Sequence, residues 1–447
     1  MKNATFKIAA AAVAVASAFT SQAYAAGFML TEQSAGGLGR AYAGVGVDGS
    51  DISGVFYNPA TMTLHKGSHF QAGFVSIGLD LPFQDTNGNT IENGRYKEQP
   101  IPHGFMAKQM SENLWLGLGM TVPFGMGTEF NDDWEGNRRG VEATILTFDV
   151  NPNIAWKIND KFSIGAGASV QYAKAQMVTY MPLKAGPIDL SAMKALDLRA
   201  KIRADNLAYG WNIGMMWTPV ENVRLGLSYR SEIEHNADGD LTVTVPQAIT
   251  GVLPMLPPSM AGVGTLAGML AGKDVMFDGG ATLSAPAWAM LNAAWDINDK
   301  YSVYGTFRWT DWSSFDELQI EAAQLEGLIG KLPSIHNQWK DTYLFTFGGD
   351  YRYNDQWTFR AGIGYETSPV DKPETRMAVI PDADRWWFSV GTNYKYNDNF
   401  EFDLSFAHLR GVHERSVYES DAPNAKELGR FDKLDAYLLG AQMQYHF

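Results

Sequence analysis

The chain has no cysteine and no apolar run long enough for a membrane-spanning helix. The first absence removes disulfides and thiolate chemistry, so stability must come from packing and backbone hydrogen bonds. The second excludes a helical membrane protein, because a spanning helix needs roughly 20 consecutive apolar residues. Basic residues are also few: 35 Lys and Arg against 49 Asp and Glu give a net charge of −14. That balance disfavours nucleic acid as a partner, since phosphate binding needs a basic surface. No Gly-rich loop joins a strand to a helix in a way that would hold a nucleotide. His65 and His69 are four apart, but Gly67 and the alternation after it argue against the helix on which that spacing would make a metal site. A barrel enzyme such as a lipase needs a nucleophile, a base and an orienting partner, and no such set stands out. Catalytic residues, metal and cofactor are therefore all expected to be absent.

What is present begins with a leader. Lys2 and Lys7 flank the start of an apolar run from Ile8 to Phe19, and Ala23-Tyr24-Ala25 is a small-x-small cleavage site. Residues 1–25 read as a secretory signal, with mature protein from Ala26. Removing Lys2 and Lys7 and no acid takes the net charge from −14 to −16.

The remaining chain alternates. After Asn159-Asp160-Lys161, the residues Phe162, Ile164, Ala166, Ala168, Val170 and Tyr172 are separated by Ser163, Gly165, Gly167, Ser169 and Gln171. Period 2 with one apolar face and one small or polar face is the signature of a transmembrane β-barrel. The same pattern appears at Val223–Arg230, Trp357–Glu366 and Phe388–Tyr396. An Arg or Lys facing lipid at the bilayer midplane costs about 2–4 kcal/mol, so Arg224, Arg230, Arg360 and Lys395 must point inward. Turns at 111–113, 159–161, 219–222, 298–300, 354–356 and 397–399 alternate with longer segments at about 83–98, 126–140, 180–198, 232–278, 312–339, 367–384 and 411–431. Short periplasmic turns and long external loops in that number connect 14 strands, giving an all-β, 14-stranded antiparallel transmembrane barrel over 67–447. Phe447 ends an alternating last strand and resembles the signal read by the outer-membrane assembly machinery. Residues 26–66 do not alternate. They are rich in Gly and Ala, unlike a charged periplasmic tail, and read as a hatch (plug) in the lumen.

Over nearly the whole mature chain the residues resemble the FadL family of outer-membrane transporters for long-chain fatty acids and other hydrophobic compounds. The resemblance rests on Gly37-Leu38-Gly39-Arg40-Ala41-Tyr42, Asn58-Pro59-Ala60, Thr128-Glu129-Phe130-Asn131-Asp132, Trp339-Lys340-Asp341, Ser368-Pro369-Val370 and Ile380-Pro381-Asp382-Ala383-Asp384-Arg385. It implies capture of substrate by apolar external loops, passage to an internal pocket, and lateral release into outer-membrane lipid through a gap at an inward kink of the third strand. The kink maps onto Val122-Pro123-Phe124-Gly125-Met126-Gly127, and Pro and Gly are independently expected to break pairing there. The resemblance also implies that Asn58, Pro59 and Ala60 contact the kinked strand and gate it, although Asn-Pro alone commonly marks a turn.

Two loop segments are apolar enough for capture, one around Leu253, Met255 and Leu256, the other around Leu190 and Met193. A carboxylate entering an apolar pocket needs a cation, for which Lys340 and Arg385 are candidates, each equally able to pair with a wall carboxylate instead. The family's basic residue late in the fifth strand is absent here, where Thr179 stands, which leaves room for aromatic hydrocarbons as ligands. A general porin is the other alternative. No energy source is visible, so the expected mechanism is passive diffusion.

Overall fold

The computed structural model describes residues 27–93, 99–185, 188–255, 261–315, 317–318, 320–329, 335–336, 338–413, 415–420, 422 and 424–447. The expected leader, Leu256 and the side chain of Met255 lie outside the described residues. The wall is one closed antiparallel sheet: β1 (Ser68–Asp80) pairs with both β2 (Gln99–Gln109) and β14 (Asp435–His446). Between them run β3 in two halves (Leu114–Thr121 and Gly125–Glu129), β4 (Glu142–Asn159), β5 (Phe162–Met181), β6 (Leu198–Val220) and β7 in two halves (Val223–Arg230 and Ile233–Thr244). The sheet continues through β8 in two halves (Asp274–Ala285 and Trp288–Asp296), β9 (Tyr301–Thr310), β10 (Thr342–Arg352), β11 (Trp357–Glu366), β12 (Arg385–Lys395) and β13 (Phe400–Gly411).

The tight turns form where the sequence places them, for a local reason. In the last of them, Asn397 Oδ1 accepts from the backbone N–H of Asn399 and of Phe400, both at 2.9 Å. Asn354 does the same for Gln356 and Trp357, and Asn298 for Lys300 and Tyr301. These side-chain oxygens accept from backbone N–H groups that the reversal leaves without a backbone acceptor.

The external ends depart from expectation. The segment 232–278 is not one loop, because Ile233–Thr244 and Asp274–Ala285 pair over their full lengths and continue the wall, leaving only 245–273 as connection. Strands β4, β5 and β6 are 18, 20 and 23 residues long, about twice the 9–11 that cross a bilayer. Along them the alternation inverts. In β5 the inward set changes from Ser169 and Gln171 to Ala173 and Met177, while the outward set changes from Val170 and Tyr172 to Lys174. In β6 Leu207, Tyr209, Trp211 and Ile213 face lipid, but farther out Arg203 and Asp205 are the exposed residues and Ala200, Ile202 and Ala204 are buried. The polar interior read from the sequence therefore holds only over the bilayer. Above it, water lies outside, and the apolar residues turn inward around a core.

That core continues into the N-terminal segment, which fills the lumen with two short helices (Ala35–Leu38 and Gly54–Tyr57) and a 3-10 turn (Pro59–Leu64). Phe28, Leu30, Leu38, Tyr42, Val55, Phe56 and Tyr57 are almost wholly buried. Outside the wall sheet, Pro82–Asp85, Thr90–Asn93, Ser416–Tyr418 and Glu427–Phe431 form a separate four-stranded sheet from two of the expected loops.

Candidate functional site

The hatch is held to the wall by one buried ion pair and by hydrogen bonds from two wall arginines that are themselves paired within the wall. Arg40 pairs with Asp48 in the hatch and, at 2.8 Å, with Asp350 of β10, and its guanidinium lies over the ring of Tyr304 at 4.2 Å. Arg230 of β7 bonds Asp149 at 3.2 Å, donates to the Phe56 carbonyl at 3.2 Å and stacks on the Phe56 ring at 4.6 Å. Arg308 of β9 pairs with Glu366 at 2.6 Å and donates to Thr31 Oγ1 at 2.6 Å.

Asn58-Pro59-Ala60 sits against β5, β6 and β7. Asn58 Nδ2 donates to the carbonyls of Gly46 (2.8 Å) and of Met215 in β6 (3.0 Å), while its Oδ1 caps the 3-10 turn at the Ala60 N–H. Inward-facing glycines make the seat: a Cβ at Gly165 would lie 2.7 Å from Pro59 C and Ala60 N, and one at Gly214 would collide with Asn58 Oδ1. The triplet itself packs on these three strands, while the 3-10 turn it opens also lies against Leu114–Thr121, the first half of the kinked strand. Gly165→Val should cost about 1–3 kcal/mol of hatch docking through overpacking. Faster hydrogen exchange over residues 58–64, with the rest of the hatch unchanged, would show it.

The kink is gripped by a different part of the hatch. Pairing of β3 with β4 runs to Thr121 opposite Asp149 and resumes at Gly125 opposite Leu146. Across the interruption, the Leu30 N–H donates to the Pro123 carbonyl at 2.8 Å and the Gly125 N–H to the Phe28 carbonyl at 2.9 Å. Gln33 Nε2 donates to the Val122 carbonyl at 2.7 Å, and Phe124 bonds Thr147 of β4 through both its N–H and its carbonyl. Beyond the kink, Gly125–Glu129 pairs only with β4, and Gln99–His103 of β2 pairs only with β1. The hydrogen-bonded ladder of the wall is therefore interrupted between these two segments. Pro100 and Pro102 are the sequence signal for that free edge, since a strand with two prolines at alternate positions cannot donate a full ladder.

Beside this interruption lies a narrow apolar chamber of about 40 Å³. Met126 from the kinked strand, Ile145, Met177, Ile202, Leu283 and Phe315 line it. It has room for little more than a water or two, so a hydrophobic ligand enters only if the lining moves. Phe315 belongs to an aromatic cluster around Phe28, whose ring lies 5.2 Å from Phe315, 4.8 Å from Trp312 and 6.0 Å from Phe124. One side chain of the hatch thus touches both the kink and the chamber wall. His235 also lines the chamber, with its ring nitrogens facing Gln171 Oε1 at 3.0 Å and Asn206 Oδ1 at 3.3 Å.

The two candidate cations are elsewhere. Lys340 is half exposed on a loop and pairs with Asp371 at 3.3 Å. Arg385 is buried but engaged by Asp382 at 2.7 Å and Glu366 at 3.6 Å. Among the capture residues, Met193 is exposed at 47 % and Leu190 is half-buried. Leu253 begins a short turn that packs on the ten-residue helix Ala261–Leu270. The turn Lys194–Leu196 lies against the turn Gln247–Gly251, so the two apolar loops do meet.

Comparison with known proteins bears on what this arrangement is. Residues 16–447 match a family model described as outer membrane protein transport protein (OMPP1/FadL/TodX). The chain is 30 % identical over 456 residues to the long-chain fatty acid transport protein of Salmonella typhi, covering 99 % of each. It is 29 % identical to that of Escherichia coli K12, again covering 99 % of each. Among solved structures it is similar to a FadL homologue of Pseudomonas aeruginosa (TM-score 0.78, 24 % identity, 94 % of this chain and 100 % of that one). It is also similar in fold to the Pseudomonas putida toluene transporter TodX (TM-score 0.66, 16 % identity, 92 % and 98 % covered).

Proposed function

The chain belongs to the OMPP1/FadL/TodX family of outer-membrane transport proteins, and from that premise we propose that it admits long-chain fatty acids or similar hydrophobic molecules by passive diffusion. It is an outer-membrane barrel and not an enzyme. In this reading the external loops capture the ligand, the chamber behind Met126 receives it, and the opening beside Pro100–His103 releases it sideways into lipid. The observation that carries the reading is the break in β3. It interrupts the ladder beside the chamber, and the hatch residues Phe28–Leu30 bond to the break. A ligand that displaces Phe315 pushes on Phe28 and so on the grip at Pro123 and Gly125. Asn58, Pro59 and Ala60 act in this scheme by anchoring the far end of the hatch against β5 to β7.

Resealing the wall tests the reading directly. Replacing Pro123, Phe124 and Gly125 with Thr-Val-Thr should restore a continuous β3 and lower uptake of a labelled fatty acid into proteoliposomes at least tenfold, with barrel assembly unchanged. Undiminished uptake by the resealed barrel would overturn lateral release. Double substitution of Asn58 and Pro59 should reduce uptake at normal surface abundance.

Small uncharged aromatics are the second substrate class, favoured by one observation. Among the described residues lining the chamber there is no Lys or Arg, and Arg385 and Lys340 are both paired away from it. Competition between toluene and a long-chain fatty acid in the same uptake assay separates the two classes. Large steady ion currents from the wild-type protein would instead favour a general porin.

A further inference from the structure

A broad concavity lies on the outside of the barrel, at the periplasmic end of the seam where the first and last strands meet. It measures about 910 Å³, within the range of small-molecule sites. Its main row crosses five strands through direct neighbours: Leu118, Met106, Phe70, Tyr445 and Phe400 stand opposite one another from β3 to β13. These side chains lie on the lipid-facing phase of their strands. One row nearer the periplasm, Lys108 stands between Leu116 and Ser68. Ser68 is small, so the surface dips there between the leucine ridge and the raised aromatic ridge of Phe400, Tyr445 and Phe447, whose successive rings are 4.6 Å apart.

Lys108 is the unusual member. It is exposed, it lies on the lipid-facing side, and it forms no ion pair with any described residue. The aromatic ridge fixes its depth, because aromatic girdles mark the level of the lipid headgroups. A lysine at that depth keeps its ammonium at the interface while its stem lies along apolar surface. We propose that this groove is a specific binding site for one phospholipid of the periplasmic leaflet, with an acyl chain between the leucine and aromatic ridges and the phosphate on Lys108. The chemistry fits on both sides: an apolar trough for the chain, and one unpaired cation for one phosphate. Binding there would tie β14, β1, β2 and β3 together across the closing seam. The site is separate from the chamber and does not depend on what is transported.

Native mass spectrometry of the purified protein tests this, with dioleoylphosphatidylglycerol as probe and dioleoylglycerol, the same chains without the phosphate, as control. The wild type should retain one phospholipid under activation that strips dioleoylglycerol. Lys108→Glu, which reverses the charge, and Leu116→Trp, which fills the trough, should each lower that occupancy at least tenfold. Leu207→Trp, on a distant stretch of lipid-facing wall, should leave it unchanged. Equal retention of the two probes, or equal retention by all variants, would reduce the groove to ordinary annular lipid and overturn the proposal. A free fatty acid retained in preference to the phospholipid would overturn it too, by assigning the groove to the transported substrate.

Discussion

Arg40→Ala turns a closed barrel into a leaking one. In the wild type the guanidinium is sealed between Asp48 and Asp350 and lies on the ring of Tyr304, with essentially no exposure. Removing it leaves Asp48 buried without its ion-pair partner and Asp350 with only Arg360, 3.7 Å away, and breaking a buried pair typically costs about 3–5 kcal/mol. The cost falls on docking of the hatch rather than on the wall, because Asp350 sits in a sheet that both its neighbours maintain. The expected result in planar bilayers is a rise from sparse current to steady, porin-sized conductance, with assembly of the barrel intact. Arg40→Lys should recover part of the closure, since it restores the charge without the forked donors. Wild-type silence in both variants would show that the hatch is held by something other than this pair. The same logic explains Gly362: a side chain there would collide with the backbone of Arg40, so that stretch of wall has to be bare.

The second large effect concerns pH. Glu32 is fully buried in the hatch segment that grips the kink, and neither carboxyl oxygen has a hydrogen-bond partner in another described residue. Burial pushes its pKa from 4.5 up to about 8, with nearby Glu366 adding to the rise and Arg308 and Arg385 opposing it. A docked hatch therefore keeps the proton, whereas an undocked one releases it near pH 4.5. The docked state binds more protons, so its stability is fully present below about pH 4.5, declines as pH rises, and is lost through about pH 8. The size is on the order of a few kcal/mol, since each pKa unit corresponds to about 1.4 kcal/mol. Hydrogen exchange over residues 27–33, taken relative to its intrinsic pH dependence, should accelerate between about pH 4.5 and pH 8, together with uptake or leakage. Glu32→Gln, neutral at every pH, should remove both changes. If the variant responds to pH as the wild type does, another group is the origin.

Much of the site could be read from the chain, and the reasons differ residue by residue. Pro123 and Gly125 were legible because the lack of a ladder donor and the freedom of glycine are properties of single residues. Leu253 and Met193 were legible as apolar residues in polar surroundings. Arg385 and Lys340 were visible as cations, but their partners were not. Asp382 lies in the same motif as Arg385 and Glu366 is 19 positions away, and only the fold shows that both are spent on one guanidinium. The role of Phe28 and Gln33 at the kink carried no signal at all, because the partners are about 90 residues distant and the bonds run to backbone atoms.

The sequence by itself determined the class of the protein, the number of strands, their orientation and the presence of a plug. The first three follow from period-2 alternation and turn chemistry that act over a few neighbouring residues, and the plug from a Gly- and Ala-rich segment that lacks that alternation. The tertiary structure decided where the alternation inverts, which end of the hatch holds the broken strand, and which charges are already paired. Those outcomes depend on what lies across the lumen or outside the wall. A side chain's partner there, whether lipid, water or a strand hundreds of residues away, is not a property of its neighbours in the chain.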